Sequence, residues 1–337
     1  MSERPLRIGV DLGGTKTEVV ALDDGGVEHY RARRPTPRED YEATLEGIAT
    51  LVRETETGIG AAASVGVGTP GSVVPETGCM QNCNSTWLNG RPLPADLERR
   101  LGRPVALAND ADCFALSEAV DGAGAEAASV FGVILGTGVG GALVVEGRLL
   151  RGANGIAGEW GHLPLPPLGD WVPDAVRERA ARLPDRRCWC GRRNCIEAWL
   201  SGPGLAATRR WCSPANAPTA PQREDLVAAA AGGDEAAGTA LDLHAWQLAA
   251  ALATVVNVVD PEVVVLGGGL SKLPSLYNEV PARWIGGIFA ERVRTRLSPP
   301  RHGDASGVRG AARLRRAAAA QRGRVAAVPP AGDPNRH

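Results

Sequence analysis

The sequence lacks an excess of charge of either sign, with 37 Lys and Arg against 38 Asp and Glu and a formal net charge of −1. Proteins that bind nucleic acid carry a basic excess or a basic stripe, so this balance argues against such a partner. No apolar run approaches the roughly 18–20 residues of a membrane span. The start, MSERPLRIGVDLGG, also lacks the apolar segment of a secretory signal. We therefore expect a cytoplasmic protein without a nucleic-acid or membrane partner.

Aromatic residues and lysines are scarce as well. Aromatic residues make up 4% of the chain, with eight tryptophans, three tyrosines and three phenylalanines, and Lys16 and Lys272 are the only lysines. The apolar fraction is nevertheless 44%, so the cores must be built from Ala, Val, Leu and Ile. A length of 337 residues is enough for two domains of ordinary size.

Cysteine is too sparse for a disulfide scaffold, and an odd count of seven cannot all pair within the chain. Three cysteines, Cys188, Cys190 and Cys195, lie within eight residues. In a reducing compartment such a cluster indicates a metal site before it indicates disulfides, and the spacing is not that of a redox C-x-x-C motif. The other four cysteines show no ligand-like spacing, and we interpret them as ordinary thiols.

Strand and helix signals alternate along the chain, which is typical of α/β layers. Strands are predicted at 6–10, 17–22, 64–67 and 105–108, and a helix pattern runs through 39–56. The second half repeats the opening strand, glycine turn and strand at 130–145, and continues with an apolar helix at 241–258 and a strand at 262–266. This repetition predicts two duplicated domains that face one cleft. The tail at 317–337 has no apolar periodicity and is predicted to be disordered.

Three glycine-rich turns each follow a predicted strand, and their backbone N–H groups could approach phosphate oxygens closely. The second turn matches the dinucleotide fingerprint G-x-G-x-x-G, but a strand follows it where that motif needs a helix. The first turn lacks the spacing of a P-loop. Three such turns favour a nucleotide held between two domains. Their residues are Asp11, Gly13, Gly14, Thr15 and Lys16; Gly136, Thr137 and Gly138; and Gly267, Gly268 and Gly269.

Asp110 follows a buried-looking strand and precedes a helix pattern, so its carboxylate should project from the carboxyl end of the strand. It could act as a general base. Alternatively, Asn109 or Asp110 could simply cap the helix. The residues by themselves leave both interpretations open. Asp112, two positions further on, is polar without an assigned role.

The motifs DLGGTKTE, GTPG, ANDAD, ILGTGVGG, GEWGH, CWCGRRNC followed by IE, and VVVLGGG occur in the order seen in the ROK family. The chain resembles that family from about residue 6 to about residue 314. The family comprises sugar kinases and related repressors with a two-domain, actin-like ATPase (ribonuclease H-like) α/β fold and an interdomain cleft. The segments at 84–90 and 302–314 most resemble bacterial fructokinases of the manno(fructo)kinase type, and N-acetylglucosamine kinases come next.

The resemblance implies a role for each matching residue. Asp110 is the base, the first two glycine turns hold the ATP phosphates, and Gly267, Gly268 and Gly269 lie near the adenosine. Asp11 is implied as the Mg²⁺ partner, through water. The sugar ligands are implied to be Gly71, Asn109, Asp110, Glu159, His162 and Glu197.

The resemblance also supplies a fourth ligand to the cysteine cluster, because the family's structural Zn²⁺ is held by three cysteines and the histidine that matches His162. One residue departs from the pattern. The family usually has glycine before the last cysteine, and this chain has Asn194. Asparagine tolerates left-handed backbone better than other residues with a side chain, so we expect the zinc-binding turn to survive.

These expectations combine into an ATP-dependent kinase that phosphorylates the C6 hydroxyl of a hexose. Fructose is the expected substrate, with N-acetylglucosamine kinase or glucokinase as the alternative. The Asn84–Gly90 segment is the expected source of discrimination, because the large Trp87 would close the recess that an N-acetyl group needs; alternatively, Trp87 only packs this loop against the small domain. A small domain is expected at 1–115, completed by about 303–316, and a large domain with the zinc insert at 116–302. The resemblance implies a homodimer. A sugar-responsive ROK repressor is disfavoured because only ten residues precede Asp11, too few for a helix-turn-helix domain.

Overall fold

The computed structural model describes residues 5–213 and 223–314. The predicted disordered tail at 317–337 lies outside these residues. The strands are β1 (Arg7–Leu12), β2 (Lys16–Leu22), β3 (Glu28–Pro35), β4 (Ser64–Thr69), β5 (Ser72–Val73), β6 (Met80–Gln81), β7 (Val105–Asn109), β8 (Ser129–Leu135), β9 (Val139–Val145), β10 (Arg148–Leu149), β11 (Val263–Gly267) and β12 (Arg296–Ser298). The α-helices are α1 (Tyr41–Ile59), α2 (Leu93–Leu101), α3 (Asp110–Asp121), α4 (Asp174–Ala181), α5 (Ile196–Leu200), α6 (Gly202–Cys212), α7 (Arg223–Ala231), α8 (Glu235–Val259), α9 (Leu276–Trp284) and α10 (Ser306–Arg313).

Two five-stranded sheets share one topology. The first sheet has the order β3-β2-β1-β4-β7, and the second has the order β10-β9-β8-β11-β12. In each sheet the first three strands along the chain pair antiparallel, the fourth pairs parallel with the first, and the fifth pairs parallel with the fourth. The duplicated α/β units predicted from the repeated glycine hairpins are therefore confirmed.

Parallel pairing brings the glycine turns and polar strand ends to the same edges of the sheets. In the first sheet, Asp11 of β1 lies opposite Gly68 of β4, and Thr69 lies opposite Asn109 of β7. In the second sheet, Ile134 lies opposite Gly267, so the turns that follow β8 and β11 are neighbours. Ligands of open α/β sheets bind outside the carboxyl ends of their strands.

Helix α3 connects the two sheets. Phe114, Ala115 and Ala119 pack against the second sheet, while Cys113 and Leu116 belong to a cluster that joins the first sheet to α10. This dual packing follows from the small and apolar residues on both sides of the helix. The expected domain boundary at residue 115 stays a prediction, and it falls within this continuous helix.

Helix α10 packs on β1, β2 and β4 of the first sheet and on α3. It approaches these elements backbone to backbone. A Cβ added to Gly66 would lie 2.0 Å from the carbonyl oxygen of Ala311, and one added to Gly310 would lie 1.6 Å from that of Cys113. Glycine is therefore required at both positions, and α10 becomes an integral layer of the N-terminal half of the fold.

The sequence is expected to contain no apolar run of membrane length, and helix α8 departs from that expectation. By length and composition it is the one helix in the described residues that could cross a membrane, but 72% of its most apolar window is buried inside the protein. It packs against α6, α7 and α9. A buried core helix accounts for this composition.

Glu118 of α3 is fully buried and binds the segment that leads into α10. One carboxylate oxygen accepts hydrogen bonds from the backbone N–H of Arg301 at 2.9 Å and of Ala123 at 2.9 Å. The other accepts from the backbone N–H of His302 at 3.1 Å and the hydroxyl of Ser306 at 2.7 Å. Because α3 and the 299–305 segment are the two connections between the sheets, this side chain ties both of them together.

We predict that Glu118→Gln lowers the free energy of unfolding by about 1–3 kcal/mol, because in either orientation the amide turns its N–H₂ group toward at least one backbone N–H donor and forfeits that bond. Thermal denaturation should show a lower melting temperature. Glu291→Gln, at an exposed position, is the matched control. An unchanged melting temperature in Glu118→Gln would contradict the structural role of this carboxylate.

Candidate active site

A cavity of about 480 Å³ lies between the carboxyl edges of the two sheets. Both halves of the fold supply its walls. The lining residues are Pro70, Gly71, Asn82, Asn84, Asn109, Asp110 and Ala111 from the first half, and Ile134, Gly136, Thr137, Gly138, Val139, Gly140, Glu159, His162, Trp189 and Glu197 from the second. All six residues predicted to bind sugar are among them.

The two interpretations of Asn109 and Asp110 turn out to be compatible. Asn109 caps α3, and its side-chain oxygen accepts from the backbone N–H of Asp112. Its amide also lies near the Glu159 carboxyl and acts to lower the pKa of that group. Asp110 is the first residue of α3, and one of its oxygens accepts from the N–H of Ala111 at 2.8 Å. Its carboxylate is thus anchored on one side and open to the cavity.

Carboxylates with raised pKa values lie in and beside the cavity, on both halves of the fold. Burial raises the pKa of Asp110, although backbone hydrogen bonds at the start of α3 oppose the shift. Burial also raises the pKa of Asp11 to about 7, with the charges of Asp110 and Glu18 adding to the effect. Burial raises the pKa of Glu159, and there the charge of His162 opposes the shift. These shifted groups concentrate at the strand ends, as is common in functional sites.

Asp112, to which the sequence assigned no role, is half-buried in the first turn of α3, two residues after Asp110. Burial raises its pKa to about 7, and the nearby Arg151 opposes that rise. The guanidinium of Arg151 also donates to the carbonyl oxygen of Leu107 in β7, at 3.1 Å. Arg151 therefore fastens the loop that precedes Glu159 to the strand that precedes Asp110.

Glu197 and His162 form the opposite wall. The Glu197 carboxylate accepts from the backbone N–H of Val139 at 3.0 Å, which links it to the Thr137 turn. The other Glu197 oxygen lies 3.7 Å from the Cys188 sulfur. The Trp189 indole packs edge-on against the His162 ring with centroids 5.1 Å apart. Sequence reasoning missed Trp189, although its position between Cys188 and Cys190 places it beside any group that those cysteines approach.

Only some of the residues predicted to bind phosphate line the cavity. Gly136, Thr137 and Gly138 line it. Asp11 lies close enough to Asp110 for their charges to interact, but it does not line the cavity. The remaining loop residues, which are Gly13, Gly14, Thr15, Lys16, Gly267, Gly268 and Gly269, also lie outside its lining, at the sheet edges described above.

Trp87 does not close a sugar recess, and the structure bears out the alternative, that it packs its loop against the small domain. Its side chain packs against the core of the first sheet, and its indole N–H donates to the Thr44 hydroxyl of α1 at 3.2 Å. The bulky indole reaches apolar surface there and satisfies its donor. From the same segment it is Asn84, together with the preceding Asn82, that lines the cavity.

A cluster of four potential metal ligands adjoins the cavity. The ligand atoms of His162, Cys188, Cys190 and Cys195 all lie within 4.8 Å of one another. The sulfurs of Cys190 and Cys195 are 3.6 Å apart, and the Cys188 sulfur is 3.6 Å from Nδ1 of His162. A tetrahedral zinc with Zn–S bonds of about 2.3 Å holds its sulfurs about 3.8 Å apart, whereas a disulfide needs about 2 Å. The donor set and its spacing fit zinc.

Asn194 adopts the backbone conformation expected of it, with φ of +55°. Its side-chain oxygen accepts from the N–H of Arg186 at 2.8 Å, and its amide donates to Asp185 at 2.8 Å. Its carbonyl oxygen accepts from the N–H of Leu165 at 2.8 Å. These bonds join the cysteine turn to the segment that follows His162.

Two topologically matched sheets with polar strand ends around a shared cleft define a two-domain α/β protein of the actin-like ATPase type. The chain belongs to the ROK family, whose family model matches residues 7–318.

Named relatives extend over nearly the whole chain. The N-acetyl-D-glucosamine kinase of Escherichia coli O127:H6 is 40% identical over 308 residues, which cover 91% of this chain and 98% of that protein. The crystal structure of a ROK hexokinase from Thermus thermophilus has a TM-score of 0.76 at 31% identity and covers 91% of this chain and 96% of its own. A ROK family glucokinase from Streptomyces griseus, in complex with glucose and AMPPNP, has a TM-score of 0.71 at 26% identity, with coverages of 92% and 98%.

The cysteine cluster predicts about one zinc per chain, from its four ligands. Elemental analysis of the purified protein should find that content, and Cys190→Ser should lower it. Cys79→Ser, outside the cluster, should retain the wild-type content. Folded protein that contains no zinc would contradict this assignment.

Proposed function

We propose that the protein is an ATP-dependent sugar kinase that transfers the γ-phosphoryl group to the C6 hydroxyl of N-acetyl-D-glucosamine. The observation that carries the proposal is the Asp110 carboxylate, which opens into a cavity shared with five other candidate sugar ligands. Family membership and the similarity to sugar kinases over more than nine-tenths of the chain support it. The expected cytoplasmic location and homodimer stay predictions.

Asp110 is the proposed general base. Its free oxygen accepts the proton of the C6 hydroxyl as that oxygen attacks the γ-phosphorus. The new bond joins O6 to phosphorus, the bond between the γ-phosphorus and the bridging oxygen of the diphosphate breaks, and ADP leaves with that oxygen. The bond from Ala111 holds the carboxylate in place during the transfer. Enclosure by walls from both sheets limits attack by water.

The remaining sugar hydroxyls are proposed to contact Asn109, Glu159, His162, Glu197 and the backbone at Gly71. Carboxylates accept hydrogen bonds and amides both donate and accept, which suits a polyol. His162 is proposed to face the zinc through Nδ1, because that atom lies toward Cys188. Nε2 then remains as a donor toward the sugar. A zinc at this cluster would be structural and would hold the segment containing His162 against the one containing Glu197.

The nucleotide phosphates are proposed to lie between the Asp11 turn and the Thr137 turn, with the adenosine near Gly267, Gly268 and Gly269. Exposed backbone at Gly14, Thr15 and Thr137 offers donors to phosphate oxygens. Asp11 is the proposed partner of a hydrated Mg²⁺, whose charge would neutralise the phosphates. That cation would also favour the ionised form of the Asp11 carboxyl, whose pKa burial raises to about 7.

The choice of N-acetyl-D-glucosamine over fructose rests on the relatives and the cavity. Two sequence segments favour fructose, but the relative that matches at 40% identity is an N-acetyl-D-glucosamine kinase. The argument for fructose also used Trp87 as a barrier to the acetyl group, and Trp87 packs elsewhere. The alternative substrate expected from the sequence therefore becomes the proposed one.

Asp110→Asn should lower kcat by roughly 10²- to 10⁴-fold, the usual contribution of a general base. The amide keeps the volume and the acceptor for Ala111 but cannot take the proton. Steady-state assays of ADP release should show this loss while sugar binding, measured by calorimetry, changes far less. Asp170→Asn, at a fully exposed side chain, serves as the control. A kcat within threefold of wild type would refute the assignment of the base.

The pH profile offers a second measurement on the same residue. Burial raises the pKa of Asp110 above the value of about 4 that is usual for aspartate. Its carboxyl therefore takes up a proton at a higher pH than an ordinary aspartate does. The value of kcat/KM for the sugar should therefore fall on the acid side with a midpoint above 4. A profile that stays flat down to pH 4 would contradict a base with a raised pKa.

Substrate preference is testable by side-by-side kinetics. We expect kcat/KM for N-acetyl-D-glucosamine to exceed that for fructose by at least about tenfold, which corresponds to about 1.4 kcal/mol in transition-state binding. Glucose and mannose complete the panel. A higher value for fructose would restore the preference that the sequence segments favour and would leave the kinase mechanism intact.

A further inference from the structure

We infer that Asn82 and Asn84 form an amide pair that recognises the acylamino group of a 2-acetamido sugar. This inference deepens the proposed function and rests on it. Both side chains line the cavity, and both residues are exposed. Neither belongs to the set of sugar ligands that the sequence motifs indicate, because those ligands recognise hydroxyls that many hexoses share.

The residue between the two asparagines is held rigidly. Cys83 is buried, and its sulfur lies 3.1 Å from the carbonyl oxygen of Pro70. The Asn89 side chain binds its backbone on both sides, because Oδ1 accepts from the Cys83 N–H at 2.9 Å and Nδ2 donates to the Cys83 carbonyl at 3.1 Å. Asn82 and Asn84 flank a fixed point and face away from it into the cavity.

The backbone beneath this segment, at Gly71, is also constrained by close packing. Gly71 has φ of +72°, and a Cβ there would lie 2.6 Å from the Cys83 sulfur and 2.3 Å from the carbonyl oxygen of Gln81. Strand β5 follows Gly71 directly, and strand β6 ends just before Asn82; the two short strands pair with each other. The Gln81 amide also donates to the Ser72 hydroxyl at 3.2 Å. The 82–84 segment thus lies directly over Gly71, and the spacing of its side chains from the cavity floor is set by backbone packing.

The amides of this pair are available to a ligand. Within the described residues, neither side chain makes a hydrogen bond to the protein. Asn82 also adopts a left-handed backbone with φ of +57°, a conformation that raises its energy unless its surroundings hold it. The backbone that carries the two amides is held in place, while the amides themselves are open to a ligand.

The chemistry of the pair matches an acetamido group better than a hydroxyl. The ligand amide offers one N–H donor and one carbonyl acceptor, and each asparagine offers both functions in return. Hydrogen bonds to the pair would satisfy the ligand amide, because its N–H needs one acceptor and its carbonyl oxygen needs a donor. The facing wall holds the carboxylates of Glu159 and Glu197 and the His162 ring, which suit hydroxyls. The two walls therefore divide the sugar into an amide-recognising side and a hydroxyl-recognising side.

The test compares N-acetyl-D-glucosamine with glucose, which carries a hydroxyl in place of the acetamido group. The variants are Asn84→Ala and Asn82→Gly, and glycine at position 82 removes the amide while permitting the positive φ. We expect each variant to raise KM for N-acetyl-D-glucosamine about tenfold with kcat changed less than threefold, since the lost bond acts in ground state and transition state alike. The kinetic constants for glucose should change less than threefold.

Two controls separate recognition from general damage. Thr86→Ala alters an exposed residue of the same segment that does not line the cavity, and it should leave both sugars unaffected. Asp170→Asn, at a fully exposed side chain that is not part of the cavity lining, should likewise leave both sugars unaffected. Calorimetric titration with each sugar, in the absence of ATP, gives the same comparison without turnover.

The outcomes distinguish this inference from the proposed function. A selective rise in KM for N-acetyl-D-glucosamine in both asparagine variants would support the pair. If the wild type prefers this sugar but the variants weaken both sugars equally, the amide pair is refuted and the proposed function stands. If the wild type does not prefer N-acetyl-D-glucosamine to glucose and fructose, the proposed substrate is refuted and the inference falls with it.

Discussion

The structure depends on the way in which two sheets are held at one cleft, and the buried Glu118 carboxylate carries much of that constraint. Four hydrogen bonds from three stretches of chain converge on this side chain. A buried carboxylate is tolerated because its oxygens are fully satisfied. Asp121, one turn further along α3, adds ion pairs to Arg309 and Arg313 of α10. Helix α3, which begins with Asp110, is thereby fixed to both halves of the protein, and so is the carboxylate that it presents to the cavity.

Within the site, too, single side chains each connect several elements of the fold. Asn109 ends β7, caps α3 and lies near Glu159 of the other wall, so one residue stands where strand, helix and cleft meet. Glu197 connects the Thr137 turn to the cysteine cluster in a comparable way. Each link joins elements from distant parts of the chain. A ligand that bridges the walls therefore meets groups whose positions are already coupled, and little ordering is left for binding to accomplish.

Much of this could be read from the sequence, and the exceptions have physical reasons. The duplicated glycine hairpins predict the two sheets, because strand, turn and strand are local patterns. The cavity residues around Asp110, Glu159, His162 and Glu197 carry motifs that point to their role. By contrast, α10 offers only a short and weakly apolar pattern, and its place against Gly66 and Gly310 depends on contacts across the whole chain. Trp87 and Asn82 are similar cases, since the direction in which a loop side chain points is decided by tertiary packing. The left-handed backbone of Asn194 depends on the residue type at that position, so the sequence alone predicts it.

The position of α10 has a consequence for how the chain is made. A ribosome releases the chain from its N-terminus, so the strands of the first sheet emerge long before residues 306–313. Until α10 arrives, the backbone groove over Gly9 and Gly66 stays uncovered, and the hydrophobic surface of β1 and β4 faces solvent. The second sheet, by contrast, can assemble from a continuous stretch of nascent chain. The half of the protein that is synthesised first is therefore the half that completes its folding last.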